Sequence, residues 1–106
     1  MGEKDYFIDL KDAGPGRMRV FVKTAKGRVV DVVVQLEIWN QGQWRAVARY
    51  DCAHGFPHID VLKKSGAREK ESLEGLSLEN VVNRAVDDFK ENWKVYLRRC
   101  GYGKEE

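Results

Sequence analysis

The sequence contains few of the residues that mark particular classes of protein. Only two of its 106 residues are cysteines, so the disulfide framework of a small secreted domain is not expected. We predict that Cys52 and Cys100 are buried thiols in a reducing cytoplasm, and a single disulfide between them is the less favoured alternative. No apolar run reaches the length of a membrane span, and the N-terminus lacks a signal-peptide pattern. We therefore expect a cytoplasmic protein without a membrane partner.

A large excess of charge of either sign is also lacking. Lys and Arg total 19 and Asp and Glu total 17, which gives a net charge of +2 at pH 7. This balance argues against a protein that coats a polyanion, although a local basic face is compatible with it. No repeat or low-complexity segment divides the chain, and a chain of this length predicts one domain over residues 1–106.

Alternating apolar and polar residues predict four strands in the first half of the chain. They are expected near residues 6–10, 17–24, 28–39 and 43–52, and even-numbered residues share one apolar face. Loops of three residues ending in Gly27 and Gly42 are expected to join the last three strands. The cross-strand pairs expected from these loops are Ile38 with Trp44, Leu36 with Ala46, Val32 with Tyr50, Glu37 with Arg45, and Asp31 with Asp51.

The polar face of this sheet has two interpretations. Arg17, Arg19 and Lys23 form a basic row, which is most simply a solvated face paired with acidic residues. Trp39 and Phe21 lie on the same side, and exposed aromatic side chains among arginines either stack on RNA bases or mark a dimer contact.

The second half of the chain predicts one long helix over about residues 78–100. Ser77 is a suitable N-cap and Gly101 a suitable residue to follow the C-terminus. A fifth strand is expected at 59–62, and residues 67–72 form either a sixth strand or a loop. The predicted fold class is α+β: an antiparallel meander sheet of five to six strands, over about residues 4–72, with one long C-terminal helix packed on one face and a short tail at 103–106. The apolar stripe of the helix consists of Leu78, Val82, Ala85, Phe89, Trp93, Tyr96 and Cys100.

The stretch from residue 49 to residue 60 concentrates the chemistry of the chain. It contains both histidines, His54 and His58, together with Asp51 and Asp60. A connection between a sheet and a helix does not need these groups. We therefore predict the functional site here.

Three chemistries fit these residues. In the first, His54 and His58 act as general acid and base on a phosphodiester, and Asp51 and Asp60 orient them. In the second, His54, His58 and Asp60 bind a divalent metal ion, with Asp51 as a possible fourth ligand. In the third, the same side chains only stabilise the loop. No other cofactor is predicted.

Two further residues are candidates for binding substrate. Arg49 would hold phosphate in the acid–base chemistry. Tyr50 stands beside it, although its even position favours a place in the core. The rival class of function is a non-catalytic module that dimerises or binds a partner through the polar face.

The run Arg49-Tyr50-Asp51-x-Ala53-His54-Gly55-x-Pro57-His58-x-Asp60 resembles the motif region of small uncharacterised archaeal and bacterial proteins. It is also loosely similar to the TumE-type toxin family of toxin–antitoxin pairs. The resemblance covers the middle third of the chain. It implies a small cytoplasmic protein, a toxin that acts on nucleic acid, with RNA or an antitoxin-like protein as the partner. The residues that carry the resemblance here are Tyr50, Asp51, His54 and His58.

Overall fold

The computed structural model describes residues 2–10, 16–52 and 56–101. In these ranges the chain forms β1 (Gly2–Asp9), β2 (Gly16–Ala25), β3 (Arg28–Asn40), β4 (Gln43–Asp51), β5 (His58–Leu62), β6 (Arg68–Ser72) and α1 (Leu78–Arg99). Each strand pairs antiparallel with the next, so the order in the sheet is the order in the chain. The α+β prediction is confirmed, and the sixth strand is present. Residues 11–15, which connect β1 with β2, and the tail at 103–106 lie outside the described residues.

Both long hairpins turn more tightly than predicted. The connections consist of residues 26–27 and 41–42, and all four residues have φ between 52° and 80°. Positive φ at both central positions defines a type I′ turn, whose twist matches that of the flanking strands. The predicted three-residue loops are therefore wrong. The pairs that close the hairpins are Ala25 with Arg28 and Asn40 with Gln43.

A bulge follows each tight turn and restores the alternation of faces. Beside the second turn Trp39 pairs with Trp44, so an odd residue faces an even one. Val47 is then an extra residue in β4, and beyond it Leu36 pairs with Ala48. From this point on, even residues face even residues again, as the predicted apolar face requires.

The register predicted between β3 and β4 is consequently wrong at every expected pair. Trp44 and Ala46 lie on the polar face of the sheet, and Trp44 is 37% exposed. Val47 is buried in their place. The observed pairs are Ile38 with Arg45, Leu36 with Ala48, Val34 with Tyr50, Glu37 with Ala46, and Val33 with Asp51.

The helix covers one face of the sheet, which we call the helix side; the opposite face is the open face. Phe89 is fully buried at the centre of α1 and packs edge-on against Tyr50 and Tyr96, with ring centroids 5.3 Å away in both contacts. A large side chain buried in this way contributes roughly 1.5–3 kcal/mol. Trp93, predicted in the stripe, is half-buried against the core. The described part of the chain contains no helix that is both long and apolar enough to cross a lipid bilayer.

Candidate functional site

Two adjacent strands place the candidate residues side by side on the open face. In the β4–β5 ladder Asp51 pairs with His58, and Arg49 pairs with Asp60. Residues two apart in a strand share a face, so all four side chains belong to one patch. The predicted grouping of His58 with Asp51 and Asp60 is what the structure has. His54, the other predicted member, lies outside the described residues.

The centre of this patch is a contact between a buried carboxylate and a buried imidazole. Asp51 Oδ1 lies 2.5 Å from His58 Nε2, and the His58 side chain is only 3% exposed. The second carboxylate oxygen, Asp51 Oδ2, is 3.1 Å from Arg49 Nε. On the other side of the ring, His58 Nδ1 is 3.4 Å from the carbonyl oxygen of Phe56. Both ring nitrogens therefore face an oxygen.

Asp60 completes the cluster from the next position on the same face of β5. Its side chain is 13% exposed, and Lys70 Nζ on β6 lies 3.9 Å from its Oδ1. This oxygen is buried and accepts no hydrogen bond from the described part of the chain. One ligand atom each from Asp51, His58 and Asp60 lies within 4.8 Å of the other two. Two carboxylates and an imidazole at this spacing are a plausible set of ligands for a divalent cation.

Tyr50 belongs to a different part of the molecule. It is buried on the helix side, where its hydroxyl donates a hydrogen bond of 2.5 Å to Asp88 Oδ2. The sheet separates it from Arg49, its predicted companion in substrate binding. The alternative interpretation of Tyr50 as a core residue agrees with this position.

Asp88 is the centre of a second polar cluster, which the sequence analysis did not predict. The Tyr96 hydroxyl donates a 2.5 Å hydrogen bond to Asp88 Oδ2, and Asn92 Nδ2 donates one of 2.8 Å to Asp88 Oδ1. Burial raises the pKa of both Tyr50 and Tyr96, and their hydrogen bonds to the carboxylate raise it further. The only available signal was helical spacing: Asp88, Asn92 and Tyr96 are four residues apart and so share one side of α1.

Both cysteines are buried, and the thiol of Cys52 lies beside a carboxylate. The buried thiols predicted at Cys52 and Cys100 are confirmed. Cys52 donates its S–H to Asp31 Oδ1 at 3.2 Å, and burial, together with that neighbouring carboxylate, raises the pKa of the thiol. Across β3 and β4 the partner of Asp51 is Val33, so the predicted pair of facing carboxylates, Asp31 and Asp51, does not exist.

An aromatic patch lies on the open face near the β3–β4 hairpin. The Arg17 guanidinium carbon is 3.9 Å from the ring centroid of Phe7 and 3.8 Å from that of Trp44. Glu37 fixes this arginine by accepting a 2.8 Å hydrogen bond from its Nε. Trp39 packs edge-on against Trp44 at 5.5 Å and is 48% exposed, so its predicted place on the polar face is confirmed. We refer to Phe7, Arg17, Trp39 and Trp44 as the aromatic patch.

Comparison with known proteins yields one relationship. Neither the search of curated proteins nor that of solved structures gave a match. The family model described as "Domain of unknown function (DUF7718)" matches residues 1–106, the whole length of the chain. The similarity to TumE-type toxins is not tested by these comparisons and stays a prediction. The chain belongs to the DUF7718 family.

Proposed function

We propose that this protein binds a divalent metal ion through Asp51, His58 and Asp60. The observation that carries the proposal is the buried Asp60 Oδ1, which accepts no hydrogen bond from the described residues while two further ligand atoms lie within 4.8 Å. A buried acceptor left in this state costs about 1–3 kcal/mol, and more when it is charged. A metal ion coordinated by this oxygen would remove that cost. His54, a ligand in the sequence-based hypothesis, is not needed for this set of three.

The orientation of the imidazole supports the proposal. The 2.5 Å contact of His58 Nε2 with Asp51 Oδ1 requires a proton between the two atoms, and a metal ion would take the place of that proton. The Phe56 carbonyl, 3.4 Å from Nδ1, would then accept the Nδ1–H, the usual arrangement of a metal-binding histidine. Metal–ligand distances of about 2.0–2.2 Å place two ligands at right angles about 3 Å apart. His58 Nε2 and Asp51 Oδ1 are 2.5 Å apart, so coordination by both requires this one contact to lengthen by about 0.5 Å. Arg49 holds the other oxygen of Asp51 throughout.

The donor set favours a first-row ion such as Mn²⁺ or Zn²⁺. One nitrogen and two carboxylate oxygens suit both ions, and three protein ligands leave positions open for water or substrate. The neighbouring thiol of Cys52 is engaged with Asp31.

Isothermal titration with Mn²⁺ and with Zn²⁺ tests the proposal. The wild-type protein should bind one ion per chain, and Asp60→Asn should weaken binding at least tenfold because it removes a charged ligand. Asp5→Asn is the matched control, since Asp5 is also paired with an arginine and lies on an exposed strand. Equal affinities for wild type and a folded Asp60→Asn, checked by circular dichroism, would refute the proposal.

The aromatic patch favours a second candidate function, contact with single-stranded RNA. Its two indoles are exposed, and a stacked arginine is fixed beside them. Base stacking on such side chains is worth about 1–3 kcal/mol per base. Trp39→Ala should therefore weaken binding of an oligouridine at least fivefold, whereas Val95→Ala, which removes an exposed apolar side chain from the helix, should not. A concentration-dependent dimer that Trp39→Ala abolishes would instead favour the interaction module, a homodimer formed through this face.

The acid–base hypothesis draws less support from the geometry. His58 is almost fully buried and already contacts Asp51, so it has little access to a macromolecular substrate. A toxin-like action with an antitoxin-like partner, in the cytoplasm where free thiols persist, stays part of the proposal. It predicts growth inhibition on expression that His58→Ala relieves, and unchanged inhibition by that variant would count against it.

A further inference from the structure

The surroundings of the candidate metal ligands are strongly cationic on one side. In the β5–β6 ladder Asp60 pairs with Lys70, and Leu62 pairs with Arg68. Arg49 pairs with Asp60 from β4. A bound divalent ion would neutralise the charges of Asp51 and Asp60, which leaves these three cationic side chains without an equal number of anions beside them. The metal-loaded site would therefore carry an excess of positive charge, which favours the binding of an anion.

A small cavity lies where such an anion would sit. It has a volume of about 60 Å³ and lies between the β4 bulge and β5. Because a water needs roughly 10–15 Å³ measured in this way, the cavity holds about four to six oxygen-sized atoms. Its polar lining comes from Gln35, Arg49, Asp60 and Arg68. Asp60 therefore borders both the candidate metal ligands and the cavity, so one anion could contact the ion and the guanidinium groups together.

We infer that the metal-loaded site binds a phosphate group, with one oxygen on the ion and the others facing Arg49 and Arg68. Guanidinium groups match the oxygen geometry of phosphate, and a metal ion bound by carboxylates commonly completes its coordination with phosphate oxygens. The inference rests on the proposed metal site and goes beyond it by naming the ligand class. The phosphate could belong to a monoester or to the diester backbone of a nucleic acid, and these sources differ in charge and bulk.

Calorimetric titration of inorganic phosphate into the protein, with and without saturating Mn²⁺, tests the inference. The Mn²⁺-loaded protein should bind phosphate at least tenfold more tightly than the metal-free protein. Arg68→Ala should weaken phosphate binding to the loaded protein about tenfold and change Mn²⁺ affinity less than twofold. Arg28→Ala is the control, because Arg28 is the first residue of β3 and lies seven residues along the strand from Gln35.

The outcomes separate the two proposals. Absence of Mn²⁺ binding would overturn the metal site and this inference together. Mn²⁺ binding with equal phosphate affinity in the loaded and metal-free protein, or in Arg68→Ala and Arg28→Ala, would overturn only the phosphate site. Titrations with methyl phosphate and with a dinucleoside monophosphate then identify the source of the phosphate. The ligand class is that of the compound that binds more tightly and whose affinity falls in Arg68→Ala.

Discussion

Tyr50 and Asp51 are consecutive in β4 and stand on opposite faces of the sheet. Tyr50 reaches toward the helix and donates to Asp88, whereas Asp51 contacts His58 on the open face. One dipeptide therefore takes part in two polar clusters that the sheet separates. We expect substitutions in the two clusters to have different effects: loss of stability on the helix side and loss of metal binding on the open face.

Asp88 should be important for stability. Its carboxylate accepts hydrogen bonds from Tyr50, Tyr96 and Asn92, and Asp88→Ala would leave two partly buried hydroxyls without that acceptor. We expect the free energy of unfolding to fall by about 2–4 kcal/mol, measured by urea denaturation. Asp87→Ala is the matched control, because Asp87 is the exposed neighbour in the same helix, and its effect should stay within about 0.5 kcal/mol. Similar losses for both variants would contradict this assignment.

The same cluster predicts a loss of stability at alkaline pH. The pKa values of Tyr50 and Tyr96 are raised in the folded protein, while an unfolded tyrosine has a pKa of about 10. The unfolded state therefore releases these protons first, and the stabilisation is complete below about pH 10 and falls as pH rises above it. Each tyrosine should add about 1.4 kcal/mol per pH unit to the slope. Denaturation at several pH values should show a shallower slope for Tyr50→Phe, and an unchanged slope would contradict the prediction.

Removal of one lysine should strengthen metal binding. Lys70 Nζ lies 3.9 Å from Asp60 Oδ1 and competes with a cation for this oxygen. Because the lysine is half exposed, the competition is weak, and Lys70→Met should raise Mn²⁺ affinity about two- to threefold in calorimetric titrations. Lys63→Met is the control, since Lys63 pairs with Glu69 at the same edge of the sheet and touches no proposed ligand. Weaker Mn²⁺ binding by Lys70→Met would indicate that the lysine supports the site.

The tight turns give a prediction about local backbone strain. Gln41 has φ of 52° and Gly42 has φ of 80°, and positive φ is costly for a residue with a side chain. Gly42→Ala should therefore destabilise the protein by about 1–2 kcal/mol, whereas Gln41→Gly should leave it unchanged or slightly more stable. Thermal melts of the two variants compare them directly. Equal melting temperatures would argue against the type I′ geometry.

Much of the fold was predictable because its signals are local. Two-residue alternation indicated the strands, and the spacing of Ala85, Phe89 and Tyr96 indicated the buried side of the helix. The register was not predictable, because it depends on whether Lys26 and Gln41 adopt positive φ, and neither residue type signals that conformation. A two-residue turn with a bulge and a three-residue turn both keep the alternation of faces, so the pattern alone could not separate them.

The two clusters differ in how far the sequence revealed them. Asp51, His58 and Asp60 were grouped correctly because β4 and β5 are neighbours in the chain and pair directly. The partnership of Tyr50 with Asp88 joins residues 38 positions apart through the packing of a helix on a sheet, and no local pattern carries that information. The even-numbered position of Tyr50 in its strand did indicate that its side chain faces the core.

The most direct measurement is a crystal structure of the protein with Mn²⁺, with anomalous scattering recorded at the manganese edge. We predict an anomalous peak about 2.0–2.3 Å from His58 Nε2 and from one oxygen each of Asp51 and Asp60. We also expect the contact between His58 Nε2 and Asp51 Oδ1, now 2.5 Å, to lengthen to about 3 Å. A map with no manganese at these three residues, with that contact intact, would contradict the proposed function.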